Sequence, residues 1–561
     1  MIKQFEVDGV PALLSPTSGP AHAGLAFRVG FADEPLYRRG ITHLVEHLAL
    51  HSTGGADYHY NGATGVEHTY FHMQGSGDEI ADFLTGVCAS LRDLPLHRLG
   101  IEKDLLRAEE NGRNRRPADQ MPMWRHGATG YGTPSYPEWG LPAITEDDLR
   151  AWVARFFTRE NAVLWVVGDD VPAGLRLDLP SGVRRPSPEL TSTLPVTPAW
   201  FAGGHGSLVW DALVPRAART SVFAGVLERA MFRELRQEGG LSYTVHAGYD
   251  LVGADQALVT AVADAASGKH GAVLGGFVDV LNALRVGRVD EADVASVIKK
   301  QAEAITHAEE HGGRLPGQAL GLLSGRPVRE AEDMLTELRE VAAAEVAATA
   351  AEACGTGLLM TPRVRGDWTG AAEAPTESGS VAEGVEYGTQ DNRAERLIIG
   401  AEGISHVSEH GRATVRWADC AIVLAWPDGG RRFIGNDGIG VSFEPTLLTD
   451  GPAARRRLEP LIPDAVRVEQ PARDSERIPQ PEPAGVATVQ AAASGERSWT
   501  YLKLIFQVPL TLVAVGIAVL LAMAPTEGGA DLAVTVGTVV TLAALAVYGG
   551  ITVYRNVARI R

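Results

Sequence analysis

His43, Glu46 and His47 stand within the run Gly40-Ile41-Thr42-His43-Leu44-Val45-Glu46-His47-Leu48. On a helix, residues four apart project from one face about one turn apart, so both imidazoles can reach a single ion. Zinc accepts neutral imidazole readily, and with three protein ligands it keeps a fourth position open. Glu46 lies beside the second histidine, where a carboxylate can take a proton from water whose pKa the metal has lowered to about 7. The pattern alone leaves an alternative, a surface helix that happens to carry two histidines. A third ligand must come from elsewhere. The stretch Ile101 to Gly112 reads as a helix on which Glu102 and Glu109 lie about 20° from eclipsed, whereas Glu110 points about 100° away. Glu109 is the expected third ligand, and Glu102 a carboxylate beside it that orients water or a ligand histidine. A helix so rich in Glu, Lys and Arg also suits a plain solvated face. His51, one turn beyond His47, is a substitute ligand to be weighed.

Further motifs decide between these readings. His43-x-x-Glu46-His47 resembles the inverted zinc motif of the pitrilysin, insulinase and mitochondrial-processing-peptidase family. Asn61-Gly62-Ala63-Thr64-Gly65-Val66-Glu67-His68-Thr69-Tyr70-Phe71 is similar to that family's strand after the metal helix, and Glu102 through Glu109 to its helix bearing the third ligand. Trp139-Gly140-Leu141-Pro142, Ile144 to Leu149 and Asn161 to Gly168 resemble the end of its first domain. Arg236 and Tyr243, within Phe232 to Tyr243, resemble its Arg/Tyr element. The resemblance covers about residues 1–365. It implies one zinc per chain on His43, His47 and Glu109, with Glu46 as general base and Glu102 in support. Asn61 and Ala63 are expected at the substrate, and Arg236 and Tyr243 on the developing oxyanion, for which a guanidinium and a phenol are suited. It also implies a dimer, homo- or hetero-, in which Arg236 and Tyr243 of one copy complete the other's site, and peptides or unfolded precursor segments as substrates. One departure stands out: between His47 and Glu109 the chain is roughly fifteen residues shorter than the family pattern, the loss falling between Leu50 and Asn61.

These residues need a scaffold. Strand-like sequence at Phe5 to Leu14 and Leu25 to Val29, and again at Ser207 to Val214, opens two blocks that each continue into helical sequence, such as Ser221 to Glu238. The expected class is α+β: two homologous-looking metallopeptidase-type α/β domains over 1–180 and 195–366. A linker over 367–384 leads to a small mostly-β domain over 385–468, read as a pleckstrin-homology-like barrel closed by a helix near Ala453 to Leu461. Its turn signals are Asp428-Gly429-Gly430 and Asn436-Asp437-Gly438. A second Pro-rich linker over 469–498 precedes residues 499–561, which carry two uncharged runs, 504–524 and 532–554. Each is long enough to cross a hydrocarbon core of about 30 Å. Arg497, Lys503, Arg555, Arg559 and Arg561 flank the outer ends, while the turn holds only Glu527 and Asp531. A two-helix transmembrane hairpin in the cell membrane is expected, with the N-terminal domains in the cytoplasm.

Composition narrows the classes. Hydrophobic residues make up 45% and charged residues 21% of the 561, a globular profile. The net charge of −18 speaks against a nucleic-acid partner, whose phosphates it would repel. Cys88, Cys354 and Cys420 are too few and too scattered for a disulfide framework. Met1 to Val7 lacks the basic and apolar regions of a signal peptide, so none is expected.

Overall fold

The computed structural model describes residues 2–17, 19–51, 59–204, 206–392 and 394–481. Both apolar runs of the expected hairpin lie outside the described residues, and among those described no helix is long and apolar enough to cross a membrane. Residues 1–480 form one compact unit.

The first half contains β1 (Lys3–Val7), β2 (Val10–Ser15), β3 (His22–Phe27), β4 (Tyr60–Thr64), β5 (Thr69–Gln74) and β6 (Ala162–Val167). Its helices are α1 (Ile41–His51), α2 (Gly77–Arg92), α3 (Leu99–Gly112), α4 (Met121–His126) and α5 (Glu146–Phe156). Local chemistry sets several boundaries. Asp8 and Gly9 both take positive φ in the tight turn joining β1 to β2. Ser76 with Glu79, and Thr145 with Asp148, form capping boxes that start α2 and α5. The strands order as β1-β2-β6-β3-β5-β4, with β2 and β6 parallel and the other neighbours antiparallel.

The second half contains β7 (Ala199–Gly203), β8 (Ser207–Pro215), β9 (Val245–Val252), β10 (Gln256–Asp264), β11 (Leu358–Pro362) and β12 (Ala372–Glu373). Its helices are α6 (Ala218–Met231), α7 (His270–Arg285), α8 (Glu291–Glu310), α9 (Leu315–Leu323), α10 (Ala331–Glu340) and α11 (Ala343–Thr356). The sheet order β12-β7-β11-β8-β10-β9 repeats the first half from its second strand onward: one parallel pair, then three antiparallel ones. The repeat that sequence identity does not reveal is carried by topology. The helix expected over Ser221 to Glu238 divides, α6 passing into a π-helical turn at Phe232–Glu238.

Each sheet packs helices of its own half on one face and borrows cover for the other. On the first sheet, Leu13, Val163 and Trp165 pack against Leu315, Ala319 and Leu323 of α9. On the second, Phe201, Val209 and Met360 pack beside α4, whose Trp124 stacks on Phe201 at 4.3 Å. This explains why every residue of β6 is buried and its sequence does not alternate. It also seals the halves together. Arg125 of α4 donates to Asp211 of β8, both in the interior, and to the Thr356 carbonyl (3.0 Å) at its margin.

The small block forms two four-stranded sheets around one core. One is β13 (Val385–Gly388), β14 (Arg396–Ile399), β15 (Gly403–Ser408) and β16 (Gly411–Arg416). The other orders β17 (Cys420–Ala425), β18 (Arg431–Gly435), β19 (Gly440–Phe443) and β20 (Arg467–Glu469) as β19-β18-β17-β20. Helix α12 (Gly451–Leu458) buries Ala454 and Leu458 in their shared core. The outer face of β17 packs Ile422 and Leu424 against Leu36 and Tyr136 of the first half.

Neither expected linker is free chain where it is described. Over 367–384, β12 extends the second sheet and Ala374 and Ala382 are buried. The Pro/Ser/Glu composition concealed pairing made by the main chain, as in the 2.8 Å bond from Ala374 N to the Trp200 carbonyl. Early in the second, Arg473 pairs with Asp428 (2.7 Å) and Glu444 (2.8 Å), and residues 482–498 lie outside the described residues.

Candidate metal centre

Helix α1 is anchored before it begins. No Ser, Thr, Asp or Asn precedes Ile41, and a distant side chain supplies the cap instead. The buried Glu34 carboxylate accepts from the main-chain N–H of Gly40 (3.0 Å) and Thr42 (2.8 Å) and from Arg39 Nη1 (2.8 Å). A carboxylate at a helix N-terminus satisfies orphan donors and favours the dipole. Arg39 is itself fully buried, stacked 4.0 Å over Phe31 and bonded to the Thr133 carbonyl. Gly40 has a φ of +102°, and a Cβ there would meet Leu141 Cδ2 at 2.9 Å and Glu138 Cβ at 3.0 Å. That close approach brings Glu138 to the helix.

Helix α1 buries Ile41, Leu44, Val45 and Leu48 and leaves His43 and His47 half-buried. Their rings lie 4.9 Å apart, edge to face. Each imidazole has a carboxylate behind it. His43 Nδ1 donates to Glu138 Oε1 at 2.9 Å, and His47 Nδ1 to Glu102 Oε2 at 3.3 Å. Ionised carboxylates only accept, so both protons are held on Nδ1 and both Nε2 lone pairs point forward. There they face one group: Glu109 Oε2 lies 3.8 Å from His43 Nε2 and Glu109 Oε1 lies 3.6 Å from His47 Nε2. The ligand atoms of all three residues fall within 4.8 Å of one another. A zinc ion with bonds of about 2.0–2.1 Å at tetrahedral angles separates its ligand atoms by about 3.3 Å. The cluster is within a small side-chain adjustment of that spacing, and the half-exposed Glu109 is free to make it. Two imidazoles and one carboxylate fit zinc.

Glu102 is buried and held by Arg98 Nε (3.2 Å) and Nη2 (2.9 Å), which fixes it against His47. Glu46 is also buried, and Thr64 Oγ1 of β4 donates to its Oε2 at 2.7 Å. Strand β4 crosses directly over it: a Cβ on Gly62 would stand 2.8 Å from Glu46 Oε1 and 2.9 Å from Leu50 Cδ1. Burial raises the Glu46 carboxyl above its ordinary range, against the lowering pull of His43, Thr64 and His47. Burial alone would make His43 less basic, but the hydrogen bond and charge of Glu138 outweigh it, and its pKa rises. Burial likewise pushes Glu138 up, and His43 and Arg39 more than reverse this, leaving it below the ordinary range.

Asn61 and Ala63 lie on β4, the outermost strand of its sheet, with Asn61 exposed and Ala63 half-buried. Arg236 and Tyr243 are placed differently from an intrachain site. They stack on each other at 4.8 Å, with Tyr243 74% exposed. Among the described residues no hydrogen bond, ion pair or ring contact joins either to the His43 cluster. The Tyr243 loop is fixed by Asp264, whose Oδ1 accepts from Ser242 Oγ (2.6 Å), Tyr243 N (2.8 Å) and Thr244 N (2.6 Å). His51 is exposed, 6.3 Å from the ring of His97, and stands outside the cluster. The shortened segment at 52–58 lies outside the described residues.

Sequence reasoning missed Glu138, Glu34, Thr64 and Gly62. For Glu34 the missing local cap before α1 was a signal. Glu138 had none, because its partner is far away in the chain. Helix α6 follows β8 as α1 follows β3 yet carries no histidine, so among the described residues the cluster occurs once.

No protein-family model matches the chain, and no curated protein matches its sequence. Solved structures do match in fold. A protease from Helicobacter pylori aligns with a TM-score of 0.55 at 15% identity, over 64% of this chain and 98% of that one. The M16 peptidase inactive domain from Pseudomonas fluorescens aligns with a TM-score of 0.53 at 15% identity, over 67% and 99%. The first half of the periplasmic protease PqqL from Escherichia coli gives 0.51 at 12%, over 64% and 91%. The chain has the mixed α/β fold of M16-like, pitrilysin-type peptidases, a fold that inactive proteins share.

Proposed function

We propose that this chain is a zinc-dependent endopeptidase acting on peptides or unfolded precursor segments. The observation that carries the reading is the convergence of both Nε2 atoms on Glu109 while two buried carboxylates hold the opposite nitrogens. His43, His47 and Glu109 would hold the ion. When bound, zinc supplies Lewis acidity that acidifies a coordinated water and polarises a carbonyl. Glu46, on the same helix and braced by Thr64, takes the proton from the attacking water and returns it to the leaving amine. Strand β4 lies at the edge of its sheet and offers the outward main-chain groups of Gly62, between Asn61 and Ala63, to an extended peptide. The main chain of Asn61 and Ala63 themselves faces β5, and Gly62 keeps the strand close to Glu46. Arg236 and Tyr243 serve as oxyanion donors from a second copy of the chain or a related subunit. The apolar C-terminal runs anchor the protein as a hairpin in the cell membrane, with residues 1–480 in the cytoplasm.

A second reading is a non-catalytic binding or scaffold module at the membrane, since the fold includes inactive proteins. The retained set of His43, Glu46, His47 and Glu109 favours the enzyme. Mixing inactive variants tests the proposal. Full-length Glu46→Gln and Tyr243→Phe should each bind one zinc and fail to cleave a quenched peptide library, while their mixture regains activity from hybrid dimers. Zinc binding with no cleavage in wild type would support the scaffold. Cleavage by Glu46→Gln would remove the assigned base.

A further inference from the structure

A cavity of about 500 Å³ lies between the two halves, away from the His43 cluster. Its walls include Leu213, Val252, Leu258 and Leu320, and its rim carries Val66 and Leu251, both about two-fifths exposed (41% and 42%). The volume falls within the roughly 300–1,000 Å³ of small-molecule sites.

Arg326 borders this space with only 8% of its surface exposed. Its Nη1 donates to the Gly253 carbonyl at 2.7 Å. Among the described residues it forms no ion pair, and its Nε and Nη2 are neither bonded nor sealed away from the cavity. The neighbouring charges act on it only through space, Glu67 attracting and Arg216 repelling it, and none pairs with it directly. The nearest acid, Glu67, is already engaged by Gly253 N (2.6 Å), Ser187 Oγ (2.7 Å) and Ser324 Oγ (3.3 Å). Asp211 belongs to Arg125, and Asp250 sits exposed. Burial pushes the His68 and His126 imidazoles down to about 4, so at neutral pH both are uncharged. A desolvated guanidinium without an ionic partner is costly, and an anion entering beside apolar walls would relieve that cost.

We propose that this cavity binds a free acid with a hydrocarbon tail, its carboxylate on Arg326 and its tail along Leu213, Val252, Leu258 and Leu320. A peptide fits less well. Strand β10 is paired on both sides and, of the β9 residues lining the cavity, Leu251 alone turns its main chain away from β10, so most incoming amides would be buried without partners. The site is independent of the proposed hydrolysis, because it uses none of the residues assigned to it.

The test uses full-length protein in lipid nanodiscs and a diazirine-bearing decanoic acid, with the labelled peptides mapped by mass spectrometry. Label is expected on 207–215 and 315–323, displaced at least ten-fold better by decanoate than by decanol. Arg326→Gln should cut labelling about ten-fold, Arg326→Lys should retain most of it, and Leu320→Trp should block it by filling the space with the charge intact. Circular-dichroism melting confirms that each variant is folded. Undiminished labelling in Arg326→Gln, equal displacement by decanol, or preferential displacement by a leucine-rich dipeptide would each overturn the assignment.

Discussion

Replacing Glu138 by Gln removes one charge from behind His43 and keeps the volume. The carboxylate is 5% exposed and accepts the Nδ1 proton at 2.9 Å. A hydrogen bond to an ionised acceptor contributes about 1.5–3 kcal/mol and a neutral one about 0.5–1.5, so the change costs about 1–2 kcal/mol of metal-binding energy. That corresponds to about 5–30-fold weaker zinc binding, overlapping the roughly 10–100-fold typical of residues that orient ligand histidines. Arg39 keeps its bond to Glu34, so α1 stays capped. Glu102→Gln, whose bond to His47 is longer at 3.3 Å, should weaken binding less. Competition between the apo-protein and a fluorescent zinc chelator gives both constants without reference to catalysis, and His43→Ala sets the scale of full ligand loss. Unchanged affinity in Glu138→Gln, with a large loss in His43→Ala, would refute the positioning role. Unchanged affinity in both would remove the metal centre.

Other outcomes follow from the same geometry. Gly62→Val places side-chain atoms where Glu46 and Leu50 already sit, so peptide cleavage should fall at least ten-fold while one zinc is retained, read by metal analysis and kcat/KM. Arg125→Met leaves Asp211 buried without its partner and should destabilise the folded unit by about 3–5 kcal/mol, whereas the double change to Met and Leu should recover much of it in urea melts. His126 titrates at about 4 when folded, because burial outweighs its bond to the Thr191 carbonyl, against an ordinary 6.5. The unfolded chain therefore binds the extra proton first. Its share of the stability should be full above about pH 6.5 and fall by up to about 3 kcal/mol toward pH 4. His68, also pushed down to about 4, adds to the same slope, so His126→Asn should reduce it without abolishing it.

The residues that could grip a metal were legible in the sequence because helical spacing is local. His43 and His47 share a face by periodicity alone, and Glu102 and Glu109 do so on their own helix. Strand types at β2, β3 and β8 were legible from apolar patterning, as was the helix of the small block. Tertiary structure alone decided what braces those groups, because the braces join residues distant in the chain. Glu138 reaches His43 from 95 residues away in the chain, and Glu34 caps a helix that has no cap of its own. The packing of the halves was equally illegible. Helices α4 and α9 each cover the sheet of the other half, and no local pattern records which distant sheet an apolar face will meet. The 367–384 stretch looked like a linker for the same reason: its order comes from main-chain pairing, which composition does not encode.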